Sequence, residues 1–203
     1  MKTKISIMAG ALFVVTLAAC EQRRATPIAP EAAVAGQGAS GGTAPANADP
    51  VKRGEYLVTI MGCHDCHTPM KNGANGPEPD MARMLSGHPE ALGKMPPASK
   101  LTPPWMWSGA ATNTAFAGPW GVSYSMNLTS DGETGIGRWN EQMFIDSIRN
   151  GKQLGAGRPI MPPMPWPAYK HATDDDLKAI FAYLKSTPPI ANRIPDYEPP
   201  AKQ

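Results

Sequence analysis

Cys63-His64-Asp65-Cys66-His67 places two thiols and two imidazoles within five residues of this 203-residue chain. Two cysteines three positions apart span about one helical turn, so both can add to the two vinyl groups of one porphyrin. The histidine directly after the second cysteine then points its imidazole at the iron. Two other readings of a C-x-x-C pair fit less well. A zinc site would need more soft ligands than His64, His67, His88 and His171, and there is no second cysteine pair. A thioredoxin-like redox pair would sit in a βαβ pattern, and none surrounds it. The motif predicts one covalent haem c, held by Cys63 and Cys66 and ligated by His67.

The flanks predict short helices. Asp49-Pro50 is an N-cap followed by proline at the first helical position, and Val51, Gly54, Tyr56-Leu57-Val58 and Ile60-Met61 run from it into the motif. A second helix starts at Asn140 and ends at Asn150-Gly151, with Trp139 and Phe144 spaced as a hydrophobic staple. A third opens on the capping box Thr173-Asp174-Asp175-Asp176. Leu177, Ile180, Phe181 and Leu184 follow at helical spacing, and Pro188-Pro189 stops it. Between these lie long irregular stretches, because 19 of the 23 prolines fall after residue 50. That punctuation excludes barrels, doubly wound sheets and helical repeats. No strand signal stands out, so the expected class is all-α, with short helices and Pro/Gly-rich loops around one haem. Such a domain is marginal on its own side chains, and the cofactor is expected to fill its middle.

A helix leading into C-x-x-C-H, a loop-rich middle, a methionine in a proline-rich loop and an amphipathic closing helix resemble a class I cytochrome c domain. Asn127-Leu128-Thr129, Gly135-Ile136-Gly137-Arg138-Trp139 and Pro162-Pro163-Met164-Pro165-Trp166 are similar to stretches of cytochrome c domains that accompany membrane-bound bacterial dehydrogenases. The resemblance covers roughly residues 50–190. Those relatives often carry two or three haem motifs, whereas this chain has one.

The sixth iron ligand must come from among twelve methionines and the remaining histidines. A methionine thioether would raise the haem potential and suit reversible one-electron transfer. Met164 is preferred because prolines on both sides are expected to hold its backbone extended and stiff, and it matches where class I cytochromes place their ligand. Met161 is the runner-up. Met126, His88, His171 and an open site remain as alternatives, and His64 reads as a variable residue inside the motif. Pro77, after Asn75-Gly76, resembles in position the family's carbonyl partner for the proximal imidazole. Arg138, Trp139 and Arg158 are candidate partners for the haem propionates. Met81 to Trp120, with Pro103-Pro104-Trp105-Met106-Trp107 and Gly118-Pro119-Trp120, reads as a loop hairpin over the haem edge or as an aromatic docking patch.

The N-terminus reads as an address. Lys2 and Lys4 precede an apolar stretch from Ile5 to Ala19, the size of a signal-peptide core. Leu17-Ala18-Ala19-Cys20 resembles a bacterial lipobox, with Cys20 the lipidated residue. Several acyl chains on one cysteine make a stable membrane anchor. Residues 21–50 hold nine Ala, four Pro and four Gly and read as a tether with a reach of roughly 30 Å. The expected organisation is a signal peptide at 1–19, a lipidated tether at 20–50, a cytochrome c domain at 51–190 and a tail at 191–203. Without its first twenty residues the chain has 17 basic and 17 acidic side chains, so nucleic acid is not an expected partner.

These observations predict an electron carrier rather than an enzyme, anchored in the bacterial cell envelope and facing the periplasm or the exterior. Its expected partner is a membrane-bound dehydrogenase or a terminal oxidase of a respiratory chain. The alternative is a peroxidase-like haem enzyme or a ligand sensor with an open sixth position.

Overall fold

Helix α1 (Pro50–Ile60) begins where the Asp49 carboxylate accepts the Val51 N–H over 3.0 Å, with Pro50 spending its missing donor at a position that needs none. The computed structural model describes residues 49–96 and 102–200. The expected signal peptide, Cys20 and nearly all of the tether therefore lie outside the described residues. No helix among the described residues is long and apolar enough to cross a membrane.

Helix α1 crosses the closing helix α5 (Asp174–Ser186) at very short range. The cause is Gly54: a Cβ there would stand 1.9 Å from the Ala179 carbonyl oxygen. Thr173 Oγ1 accepts the Asp176 N–H at 3.1 Å, and three aspartates in the first turn of α5 complement its dipole. Leu177, Ile180, Phe181 and Leu184 are all buried, as their spacing predicts. Arg53 ties the two helices at the rim through Asp176 at 2.9 Å, a part-exposed pair worth under about 1 kcal/mol. Helix α3 (Glu141–Asn150) runs from an Asn140 cap to Gly151 in the left-handed conformation at φ 62°. Its Phe144, Ile145 and Ile148 join the same core, against which Trp139 packs. Two short helices complete the set: α2 (Cys63–His67), which carries the motif, and α4 (Trp166–Tyr169).

The all-α expectation is corrected by two antiparallel sheets. Strands β1 (Met70–Gly73) and β2 (Gly76–Pro79) form a hairpin that closes over Ala74-Asn75. Strands β3 (Ser108–Gly109), β4 (Ala115–Gly118) and β5 (Gly121–Tyr124) form a three-stranded sheet. Gly118 pairs with Gly121 across the two-residue Pro119-Trp120 turn, a β-hairpin that begins inside the expected loop segment and ends beyond it at Tyr124. Ala115 and Phe116 of β4 and Ser123 and Tyr124 of β5 are all buried, so at that end both faces of the hairpin are covered.

Nor is the stretch after residue 190 a free tail. Asn192 is 1% exposed; its amide donates to the carbonyls of Ser86 and His88, and its oxygen accepts from Arg83 and the Glu90 N–H. Further on, Glu198 exchanges backbone hydrogen bonds with Val122 of β5, and Tyr197 donates to the Trp120 carbonyl. Residues 191–200 strap the sheet to the rest of the fold, so packing continues beyond the expected boundary at 190.

Candidate haem site

Gly62, at φ 67°, turns the chain from α1 into α2, which sets Cys63, Cys66 and His67 along one wall of an apolar cavity of about 390 Å³. Natural cores are close-packed, and a void of this size inside one is the seat of a group rather than a packing defect. The residues present fit a haem. Two thiols stand on the wall, aliphatic side chains of α3 and α5 such as Ile148 and Leu177 line the remainder, and Met161 and Met164 also face the space. Burial pushes the Cys63 thiol up to about 11, with the nearby Asp65 and Cys66 adding to the rise, and burial raises Cys66 too. Both are neutral thiols near pH 7.

His67 is 8% exposed, and its Nδ1 donates to the Met126 carbonyl at 2.8 Å. That bond fixes the tautomer and leaves Nε2 as the ring atom with a lone pair for iron. Burial holds the imidazole below its ordinary pKa, partly offset by the Met126 bond, so it is neutral as a ligand must be.

The Met126 carbonyl is itself held in a dense polar turn. Asn127 is fully buried; its Oδ1 accepts from the Thr129 N–H and Oγ1, and its Nδ2 donates to Thr134 Oγ1 and to the Ile190 carbonyl. The Asp131 carboxylate accepts from Glu133 N–H, Thr134 N–H and Thr134 Oγ1, and those bonds, led by the Thr134 hydroxyl, hold it below the usual carboxylate range. Gly135 and Gly137 pass so close to the Thr129, Ser130 and Asp131 backbones that a side chain at either would collide. Ile136, fully buried between them, faces the cavity.

No family model matches the chain. Curated relatives do. The chain is 30% identical over 149 residues to the cytochrome c subunit of the quinone alcohol dehydrogenase of Gluconobacter oxydans, covering 72% of this chain and 24% of that protein. It is 31% identical over 151 residues to the gluconate 2-dehydrogenase cytochrome c subunit of Pantoea cypripedii, covering 74% of this chain and 26% of the relative. This chain contains a cytochrome c domain. A third likeness, 28% over 134 residues, is to the fructose dehydrogenase cytochrome subunit of Gluconobacter japonicus, covering 66% of this chain and 20% of that protein. The chain thus spans about a quarter or less of the length of these three relatives. Haem c is the cofactor these likenesses imply, in agreement with the fit of the cavity.

Within the cytochrome c domain, some expected residues meet and others do not. Cys63, Cys66, His67, Trp139, Arg158, Met161 and Met164 all line the one cavity. Pro77 does not serve His67: it is exposed on β2, paired with Asn72, and the Met126 carbonyl takes its place. Arg138 is also displaced, with a side chain 73% exposed and paired with Glu133 on the surface. Among the alternative ligands, His88 is fully buried with both ring nitrogens engaged, Nε2 donating to the Gly93 carbonyl and Nδ1 accepting from Thr114 Oγ1. His171 is exposed, and His64 bonds to Thr68 Oγ1. Met126 does line the cavity. The prolines around Met164 do not hold an extended strand. Residues 161–164 make a turn, with the Met164 N–H on the Met161 carbonyl at 3.3 Å, so both methionines reach the cavity wall. Of the two, Met164 packs against the core cluster.

Several wall residues were missed by sequence reasoning, among them Tyr169, Phe116 and Ser123. Tyr169 lines the cavity and donates to the Met61 carbonyl just before the motif. Phe116 and Ser123 reach it from β4 and β5. The Gly-Pro-Trp-Gly run between two short alternating stretches was the available signal for that hairpin.

Proposed function

We propose that this chain is an electron-transfer subunit that carries one haem c, whose iron His67 and Met164 would hold, and that works with a membrane-bound dehydrogenase. The observation that carries the reading is the sharing of one apolar cavity by the two motif thiols, a neutral imidazole locked through Nδ1, and a thioether-bearing turn. The relatives named as cytochrome c subunits of dehydrogenases support the kind of partner, with a terminal oxidase as the other acceptor or donor. Bound haem c supplies a reversible one-electron couple. The chain's own side chains do the rest. Cys63 and Cys66 tether the group, His67 sets its orientation, and a soft Met164 thioether favours the ferrous state. The aliphatic wall keeps water from the iron, and Trp107, lining the cavity yet 44% exposed, brings the site to the surface. The role is electron transfer without substrate turnover. We place the protein in the bacterial cell envelope, held by lipid on Cys20 and reaching over the membrane on its tether.

The test is spectroscopic. The ferric protein should show the weak far-red sulfur-to-iron band, and the ferrous protein should bind carbon monoxide poorly. Met164→Ala should abolish the band, lower the potential and open the iron to small ligands. Rapid carbon monoxide binding by the unaltered protein would instead establish an open site and the enzyme or sensor reading. Cys20→Ala should move the protein to the soluble fraction or stall its processing; unchanged membrane association at high salt would contradict the lipid anchor.

A further inference from the structure

We infer that Ser123 is a positioning residue for the distal side of the haem: its hydroxyl clamps the methionine-bearing turn 161–164 to the β-sheet. The inference rests on the proposal that a methionine of this turn binds the iron, and it holds for either Met161 or Met164.

The turn has few means of being held. Pro162 and Pro163 have no N–H, so two of its four residues can be fixed only through their carbonyls. Its one internal hydrogen bond, Met164 N–H to the Met161 carbonyl, is long at 3.3 Å. On its N-terminal side the chain is tied down at Ile160, whose N–H donates to the Gly151 carbonyl, and on its C-terminal side at Pro165, whose carbonyl accepts from Ala168 and Tyr169. Between those points, among the described residues, a single hydrogen bond joins residues 161–164 to another part of the fold. It is Ser123 Oγ–H donating to the Pro162 carbonyl over 2.5 Å.

Ser123 is suited to the task. It lies in β5, is 6% exposed and lines the same cavity as the two methionines. Its hydroxyl has one proton, and the Pro162 carbonyl is much nearer than the Phe116 carbonyl at 3.4 Å. The Trp120 indole N–H donates to the same oxygen at 3.3 Å, which polarises the hydroxyl and strengthens its donation. The strand is in turn backed by the Val122–Glu198 bridge from the C-terminal strap. The clamp therefore runs from the strap through β5 to the turn that carries the thioether.

The experiment uses the full-length, haem-loaded protein and compares Ser123→Ala, Ser123→Cys and Ser123→Thr with the unaltered chain. The readouts are the far-red band of the ferric form and the rates of carbon monoxide binding to the ferrous form and imidazole binding to the ferric form. Removing a buried donor should weaken the band and speed both ligand-binding rates by about tenfold, the equivalent of one hydrogen bond lost from the ligated state. Ser123→Thr keeps the hydroxyl and should retain the band and the slow rates. Ser123→Cys, close in size and a weak donor, should behave like Ser123→Ala and serves as the test if the alanine variant does not fold. A lower unfolding temperature with band and rates unchanged in the alanine or cysteine variant would overturn the clamp and leave methionine ligation standing. Absence of the band from the unaltered protein would overturn the ligation itself, and the clamp with it.

Discussion

The Nδ1–H of His67 donates to the main-chain carbonyl of Met126, 59 residues further along the chain and 2.8 Å away. The proximal imidazole is therefore set by a loop remote in sequence, and the Asn127–Thr129–Thr134 network exists to hold that loop still. Asn127→Ala would remove an amide that makes four hydrogen bonds, two of them fully buried, and would leave several partners unsatisfied. The expected loss is about 2–3 kcal/mol of unfolding free energy, read from a denaturant titration of the holoprotein. The potential should also rise, because a looser Met126 carbonyl accepts a weaker hydrogen bond from His67 and the imidazole then donates less charge to the iron. A variant within about 0.5 kcal/mol of the unaltered protein, the scatter of ordinary surface changes, would contradict this role.

The α1–α5 crossing depends on Gly54. A methyl group there would meet the Ala179 carbonyl oxygen at 1.9 Å, and because that atom is backbone the helices must separate to admit it. Gly54→Ala should cost about 3 kcal/mol even though alanine is the better helix former. Equal or greater stability in urea unfolding would show that the crossing has slack.

Alkaline pH should loosen the C-terminal strap. Burial and the hydrogen bond to Glu198 push the Tyr124 phenol up from 10.0 to about 12. The folded state thus favours the neutral phenol, and the stability this contributes is complete below pH 10.0 and is lost as pH rises through about 12. Tyr124→Phe should lower stability near neutral pH and flatten its decline across that window, as followed by thermal unfolding at stepped pH. An unchanged decline would assign the alkaline sensitivity to other groups.

What could be read from the sequence was local. Asp49, Asn140 and Thr173 cap helices through bonds that reach two or three residues, and the cysteine spacing needs only one turn of chain. The strands were not legible because they are two to four residues long and take their stability from pairing rather than from their own pattern. The carbonyl that serves His67 has no residue type to betray it, since every residue carries one. The same holds for the strap, where Asn192 and Glu198 find partners about 75 to 105 positions away. Both Met161 and Met164 reach the cavity because the proline-rich loop folds into a turn, which the restriction of single prolines did not anticipate.

Covalent attachment of the haem is tested most directly by the intact mass of the full-length protein under denaturing conditions. The protein matured in a cytochrome c-competent host should carry the mass of one haem above that of its processed and lipidated chain. The Cys63→Ala/Cys66→Ala double variant, processed in the same way, should lack that haem mass. A chain mass without haem in the unaltered protein, or a haem adduct that survives loss of both cysteines, would contradict it.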